Sequence, residues 1–258
     1  MIHSREDLLR ELESWNKGDT PFRMKYVEIM ANKYMNWFDK NIKIEVHKDS
    51  NLKGINANVS VYMPKSKIRV IGVSQQLLDW VLDECKIRYL YRLIGHEVAH
   101  IYYDDSAVFT GIHLQMKGLK FIEDLPDDEK SNCMRVLHAL KESRADILGI
   151  QLARGSFPIL YQSKEDIEYG FITDSMKPSA AMCYKAGYLL PEDRAQLGIK
   201  FSHCLGCDRY IAQEVLFQLL SKYNVDKYVF WEFLVTKMQR AKLPTTKSYY
   251  TTWCKLLR

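Results

Sequence analysis

Apolar residues recur at three and four through residues 4–16 and 22–38, and this spacing predicts two helices. They join at Lys17-Gly18-Asp19-Thr20-Pro21, where the proline suits a helix start. The period then changes to two. Ile42-Lys43-Ile44-Glu45-Val46, Asn58-Val59-Ser60-Val61-Tyr62 and Ile68-Arg69-Val70-Ile71-Gly72-Val73 predict three strands of a half-exposed sheet. Pro64-Lys65-Ser66-Lys67 reads as a hairpin connection. Ser74 suits the cap of a helix from Gln75 through Trp80.

From about Lys86 the residues Ile87, Leu90, Tyr91, Ile94, Val98 and Ile101 mark one face of an amphipathic helix reaching about Tyr103. Pro126-Asp127-Asp128-Glu129 starts another, with acids in its first turn. Its Val136, Leu137, Leu140, Ile147, Leu148 and Leu152 lead to Arg154, and Gly155 suits its end. Residues 155–207 are rich in turn formers and predict no definite element. Two or three more helices are expected, around 208–222, 226–240 and 248–256. No segment reads as a linker. The expectation is one α+β domain (residues 1–258), mostly helical, with a small mixed sheet before the helix of His96. Its core would span about 40–155, with a helical C-terminal extension over about 156–258.

The 258 residues, 47% hydrophobic and 27% charged, describe an ordinary globular chain. The opening Met1-Ile2-His3-Ser4-Arg5-Glu6-Asp7 lacks the basic start and apolar run of a signal peptide. No apolar run is long enough for a spanning helix. A soluble cytoplasmic protein without a membrane partner is the expectation. Six cysteines without an export signal fit reduced thiols better than a disulfide framework. The net charge of +5 sits wholly in the last segment. From Asp226 onward Lys227, Lys237, Arg240, Lys242, Lys247, Lys255 and Arg258 face only Asp226 and Glu232. Such a basic region can dock an acidic partner or nucleic acid. Solvated helical faces are the simpler reading, because the aromatics among these charges keep helical spacing.

The chemistry concentrates in His96-Glu97-Val98-Ala99-His100. Histidines four apart project from one helix face one turn apart, so both imidazoles can bind one zinc ion at about 2.0–2.1 Å. Glu97, beside the first of them, can reach a water at the metal without ligating it. Chance alone would place such a pentapeptide in roughly one percent of shuffled chains, which makes the pattern a suggestion until other features agree. Three do. The histidines flank the apolar stripe instead of sitting at the solvent pole. Gly95 and Ala99 beside them would admit a second backbone or a substrate. On the later helix His138, Glu142 and Asp146 form a polar stripe at intervals of four, with the small residues Ala145 and Gly149 next to it.

His96-Glu97-x-x-His100 followed by Glu142-Ser143-Arg144-Ala145-Asp146 resembles the glutamate-zincin pattern, HExxH then ExxxD. The stretch from Glu142 to Ala153 is similar to the second helix of ImmA/IrrE-type metallopeptidases and, next, to that of the HtpX-like membrane peptidases. The resemblance covers about residues 68–155. It implies a zincin-like fold and a catalytic zinc held by His96, His100 and Glu142, with a fourth position open to water. Asp146 would accept the other ring N–H of His96 or His100 and fix its tautomer. His138 would support Glu142 or replace it as ligand. The strand Ile68–Val73 would be the edge on which an extended peptide is laid. Glu97 would act as the general base. The oxyanion would need one more donor, for which His203, Tyr188, Tyr184, His113 and His138 are all open.

The implied activity is a zinc-dependent endopeptidase acting on a protein or peptide substrate, a regulator or repressor being one such partner. The alternative is a non-catalytic zincin-like module whose basic C-terminal region engages a partner; a hydrolase of non-peptide amides is a third reading. Cys204-x-x-Cys207 with His203 and Cys183 nearby is too sparse for a second, structural zinc. Tyr249, Tyr250 and Trp253 could stack on bases, but packing of the last helix is the simpler expectation. Asp104, one turn after His100, fits a helix end better than a ligand. Tyr102 and Tyr103 suit either the cleft or the core.

Overall fold

The alternating segments pair into one sheet in a computed structural model that describes residues 4–38, 41–61, 67–105, 127–171, 189–202, 208–241 and 244–258. Strands β1 (Lys43–Lys48), β2 (Ala57–Val61) and β3 (Ile68–Val73) lie in the order β1-β3-β2. β3 runs parallel to β1, from Lys43 opposite Ile68 to Lys48 opposite Val73. It runs antiparallel to β2, with an irregularity between Val59 and Val61. The sheet is therefore mixed, as the pattern predicts.

One expectation is overturned here. β3 is the central strand, hydrogen-bonded on both sides, and cannot take an added peptide strand; among the described residues the edges belong to β1 and β2. Burial gives the reason. Ile71, Gly72 and Val73 are buried in succession, which suits a strand covered on both faces, and alternation alone does not reveal that. Most of the proposed connection at Pro64–Lys67 lies outside the described residues.

The opening helices form where capping chemistry places them. α1 (Arg5–Lys17) starts on a capping box of Ser4 and Asp7, and α2 (Thr20–Met35) on Asp19 with Pro21 in its first turn. Asn32 of α2 uses both ends of its amide on β1: it donates to the Ile44 carbonyl at 2.7 Å and accepts from the Ile44 N–H at 2.9 Å. α2 also lies against α4 (Glu84–Tyr102), which packs on β2. The back of α4 is held by a hydrogen bond of 2.6 Å between the hydroxyls of Tyr26 and Tyr91. α3 (Gln75–Leu78) is capped by Ser74, as expected, but stops short of Trp80.

α5 (Asp127–Ser156) runs past its expected end. Gly155 is inside it, and a Cβ there would lie 2.3 Å from a carbon of the Trp37 indole, so the glycine serves close packing instead of termination. Within the stretch that predicted no element, α6 (Lys164–Tyr169) begins on a capping box of Ser163 and Asp166, and α7 (Pro191–Phe201) follows. α8 (Asp208–Lys222), α9 (Lys227–Arg240) and α10 (Pro244–Leu256) match the last three expected helices, α10 beginning earlier. The fold is mostly helical α+β. Among the described residues no helix is long and apolar enough to cross a membrane.

The residues gather into two compact units. The first comprises 1–103, 145–178 and 191–203, and its core includes Trp15, Tyr34, Ile44, Ile71, Leu90, Ile94 and Val98. The second comprises 104–144, 179–190 and 204–258. In it α9 packs on α10, and Phe230, Phe233, Tyr250 and Trp253 are buried. The division falls between Arg144 and Ala145, inside α5, which continues unbroken across it. Neither unit is bounded near residue 155, where the sequence suggested a core would give way to an extension: α6 and α7 belong with the first unit.

Candidate metal centre

α4 begins on Asp83, whose carboxylate accepts from the N–H groups of Cys85 and Lys86 at 3.0 and 2.8 Å. Every residue from Tyr89 to Ile101 is buried, so this stretch lies inside the protein on all sides and not merely along its apolar stripe. The close approach expected at the glycines is present. A Cβ on Gly95 would meet the Gly149 carbonyl oxygen at 2.7 Å, and a Cβ on Gly149 would meet the His96 nitrogen at the same distance. α4 and α5 thus touch backbone to backbone one residue before the first histidine.

That crossing places the polar side chains. His96, His100 and Glu142 are all buried, and each offers a ligand atom within 4.8 Å of the other two. Glu142 stands on α5 four residues before Asp146. The Nε2 atoms of His96 and His100 are 2.9 Å apart. Two nitrogens bound to one tetrahedral zinc would sit roughly 3.3 Å apart, so the rings are close to the spacing one ion needs. The Nδ1 of His96 lies 2.8 Å from Asp146 Oδ1. A carboxylate there accepts a hydrogen bond from the Nδ1–H, so the proton stays on Nδ1 and the Nε2 lone pair faces His100, which is the tautomer a metal requires. Two imidazole nitrogens and a carboxylate oxygen make a donor set suited to a divalent ion such as zinc.

Asp146 is itself enclosed. Arg194 of α7 donates from Nε to Oδ2 at 2.5 Å and from Nη2 to Oδ1 at 3.0 Å, and Arg92 of α4 donates to Oδ1 at 2.9 Å. Burial pushes this carboxyl up, but Arg194, His96 and Arg92 outweigh it and hold the group well below the usual carboxylate range. Neither arginine was singled out from the sequence. Arg92 carried one available signal, a charge inside a helix segment otherwise apolar; Arg194 lay in a region with no assigned element.

The other candidates divide clearly. Glu97 is buried on α4 and is not one of the three clustered residues. His138 also stands outside that group; its Nε2 is 4.0 Å from Glu142 Oε1. Lys141, not anticipated, places its Nζ 2.8 Å from the same oxygen. Asp104 adopts φ of 57° just after α4, a left-handed residue at a helix end and not a ligand. Tyr102 stacks on Phe38 with ring centres 4.1 Å apart, which is packing. Tyr249, Tyr250 and Trp253 are buried, and Arg144 lies over the Trp253 ring at 4.7 Å, so they too pack the body. Cys85 and Cys254 are free thiols. His113, Tyr184, Tyr188, His203, Cys183, Cys204 and Cys207 lie outside the described residues. No family model, no curated protein and no solved structure matches this chain.

Proposed function

We propose that the chain is a zinc-dependent endopeptidase with a zincin-like arrangement, its single catalytic ion held by His96, His100 and Glu142. The observation that carries this reading is the buried His-His-Glu group with Asp146 on the far nitrogen of His96. The resemblance of its two motifs to glutamate zincins of the ImmA/IrrE type supports it. When bound there, zinc supplies a Lewis acid that polarises the scissile carbonyl and makes water a nucleophile near neutral pH.

The protein's own groups have distinct tasks. Glu97 takes a proton from the attacking water and returns it to the departing amine, work that needs a carboxylate near the ligands but outside their set. Asp146 keeps His96 in one tautomer. Lys141 neutralises part of the charge on Glu142. Elemental analysis of the purified protein should find one zinc per chain, falling toward zero in His96→Ala and Glu142→Ala. Equal metal content in all three proteins would refute the assignment.

A further inference from the structure

The carboxylate that steadies His96 is held by a residue 48 positions further along the chain. Asp146 is fully buried and receives four hydrogen bonds, three on Oδ1 and one on Oδ2. Arg194 grips both oxygens with the planar Nε/Nη2 fork, which sets the plane of the carboxylate and not merely its charge. Arg92 has no freedom of its own. Its guanidinium lies between the rings of Tyr89 and Phe171, at 4.9 and 4.8 Å, and its Nε donates to the Gly170 carbonyl at 2.6 Å. Since the Nδ1–H of His96 must point at Oδ1, rotation of the carboxylate would turn the imidazole.

We infer that Arg194 and Arg92 are positioning residues of the metal centre, acting through Asp146 to fix the ring plane and tautomer of His96. The inference rests on reading His96, His100 and Glu142 as metal ligands. It makes α7, a segment in which the sequence showed no element, part of the working centre. It also separates charge from geometry at position 194. Lysine would keep the positive charge but lacks the fork, so it would restore the centre only in part.

The test uses the full chain carrying Arg194→Gln, Arg194→Lys or Arg154→Gln. Arg154 ties α5 to Ser202 Oγ at the end of α7 at 3.3 Å and does not appear among the groups holding Asp146, so its variant controls for loss of helix packing. Zinc affinity is read by competition with a chromophoric chelator, and ligand geometry by the visible absorption of the cobalt(II)-substituted protein. Arg194→Gln should weaken zinc binding by about 10–100-fold and shift the cobalt bands. Arg194→Lys should fall between it and wild type, and Arg154→Gln should bind as wild type does. Should Arg194→Gln fail to fold, the lysine variant decides alone. Wild-type affinity with an unchanged cobalt spectrum in Arg194→Lys would then overturn the inference, as the same result in Arg194→Gln would. Equal weakening in Arg154→Gln would overturn it too, because packing would account for the effect. A wild-type protein that binds neither ion would instead sink the metal reading on which all of this stands.

Discussion

Both units bury charge, but in opposite ways. In the first, Asp146 is surrounded by Arg92, Arg194 and His96, and it stays ionised although burial opposes this. In the second, Lys237 is buried on α9 with its Nζ over the Phe233 ring at 5.4 Å. Burial first and the charge of Arg240 second push its ammonium down to about 8. Opposite charges preserve a buried ion, while apolar walls and a like charge drive it toward neutrality. The first arrangement organises a centre. The second places its charge under a burial penalty.

The largest expected consequence lies in the first unit. Glu97→Gln should lower peptide hydrolysis by about 10²–10⁴-fold while zinc content stays at one per chain, because the proton carrier is lost and the ligands are not. A variant that kept its activity would remove Glu97 from the chemistry. Next in size is Asp146→Ala, which strands the buried Arg92 and the half-buried Arg194. It should cost about 3–5 kcal/mol in chemical denaturation, and a loss under 1 kcal/mol would mean that the buried charges are solvated after all.

Gly149→Val places a Cβ against the His96 backbone and should destabilise by about 1–3 kcal/mol while also weakening zinc binding. Unchanged stability would show that α4 and α5 can separate at little cost. The smallest effect belongs to Lys237→Met, expected to stabilise the protein by about 1 kcal/mol at pH 7. The sign has a pH signature. Below about pH 8 the lysine is charged whether folded or unfolded, and the burial penalty is fully present. Between about 8 and its ordinary 10.5 the unfolded chain holds a proton that the folded one lacks, so wild-type stability rises with pH. The gap between wild type and Lys237→Met should therefore narrow across that window. A constant gap in pH-dependent melting would mean that burial does not weaken the Lys237 charge.

How far the sequence could be read follows from which interactions are local. Strand and helix periodicity reports burial on one face, and it located β1 to β3, α1, α2, α4 and the last three helices closely. It could not say that β3 is central, since strand order depends on partners elsewhere in the chain. Local capping was read at Ser74 but overlooked at Asp83 and Ser163, where the capping oxygens were equally present in the sequence. Gly155 shows the reverse error. Its conformational freedom suggested a helix end, whereas its missing side chain is what Trp37 requires.

At the centre the same division holds. Spacing by four along a helix is fixed by its pitch, so the sequence alone put His96 beside His100 and aligned His138, Glu142 and Asp146 on one stripe. The small residues Gly95 and Gly149 already signalled that two helices would meet closely. Only the tertiary structure decided that they meet each other, that Glu142 and not His138 joins the two histidines, and that Arg92 and Arg194 close around Asp146. The physical reason is distance along the chain. Helix pitch relates residues a turn apart, but the pairing of a carboxylate with an arginine 48 residues away depends on how whole helices pack, and packing is a property of the assembled core.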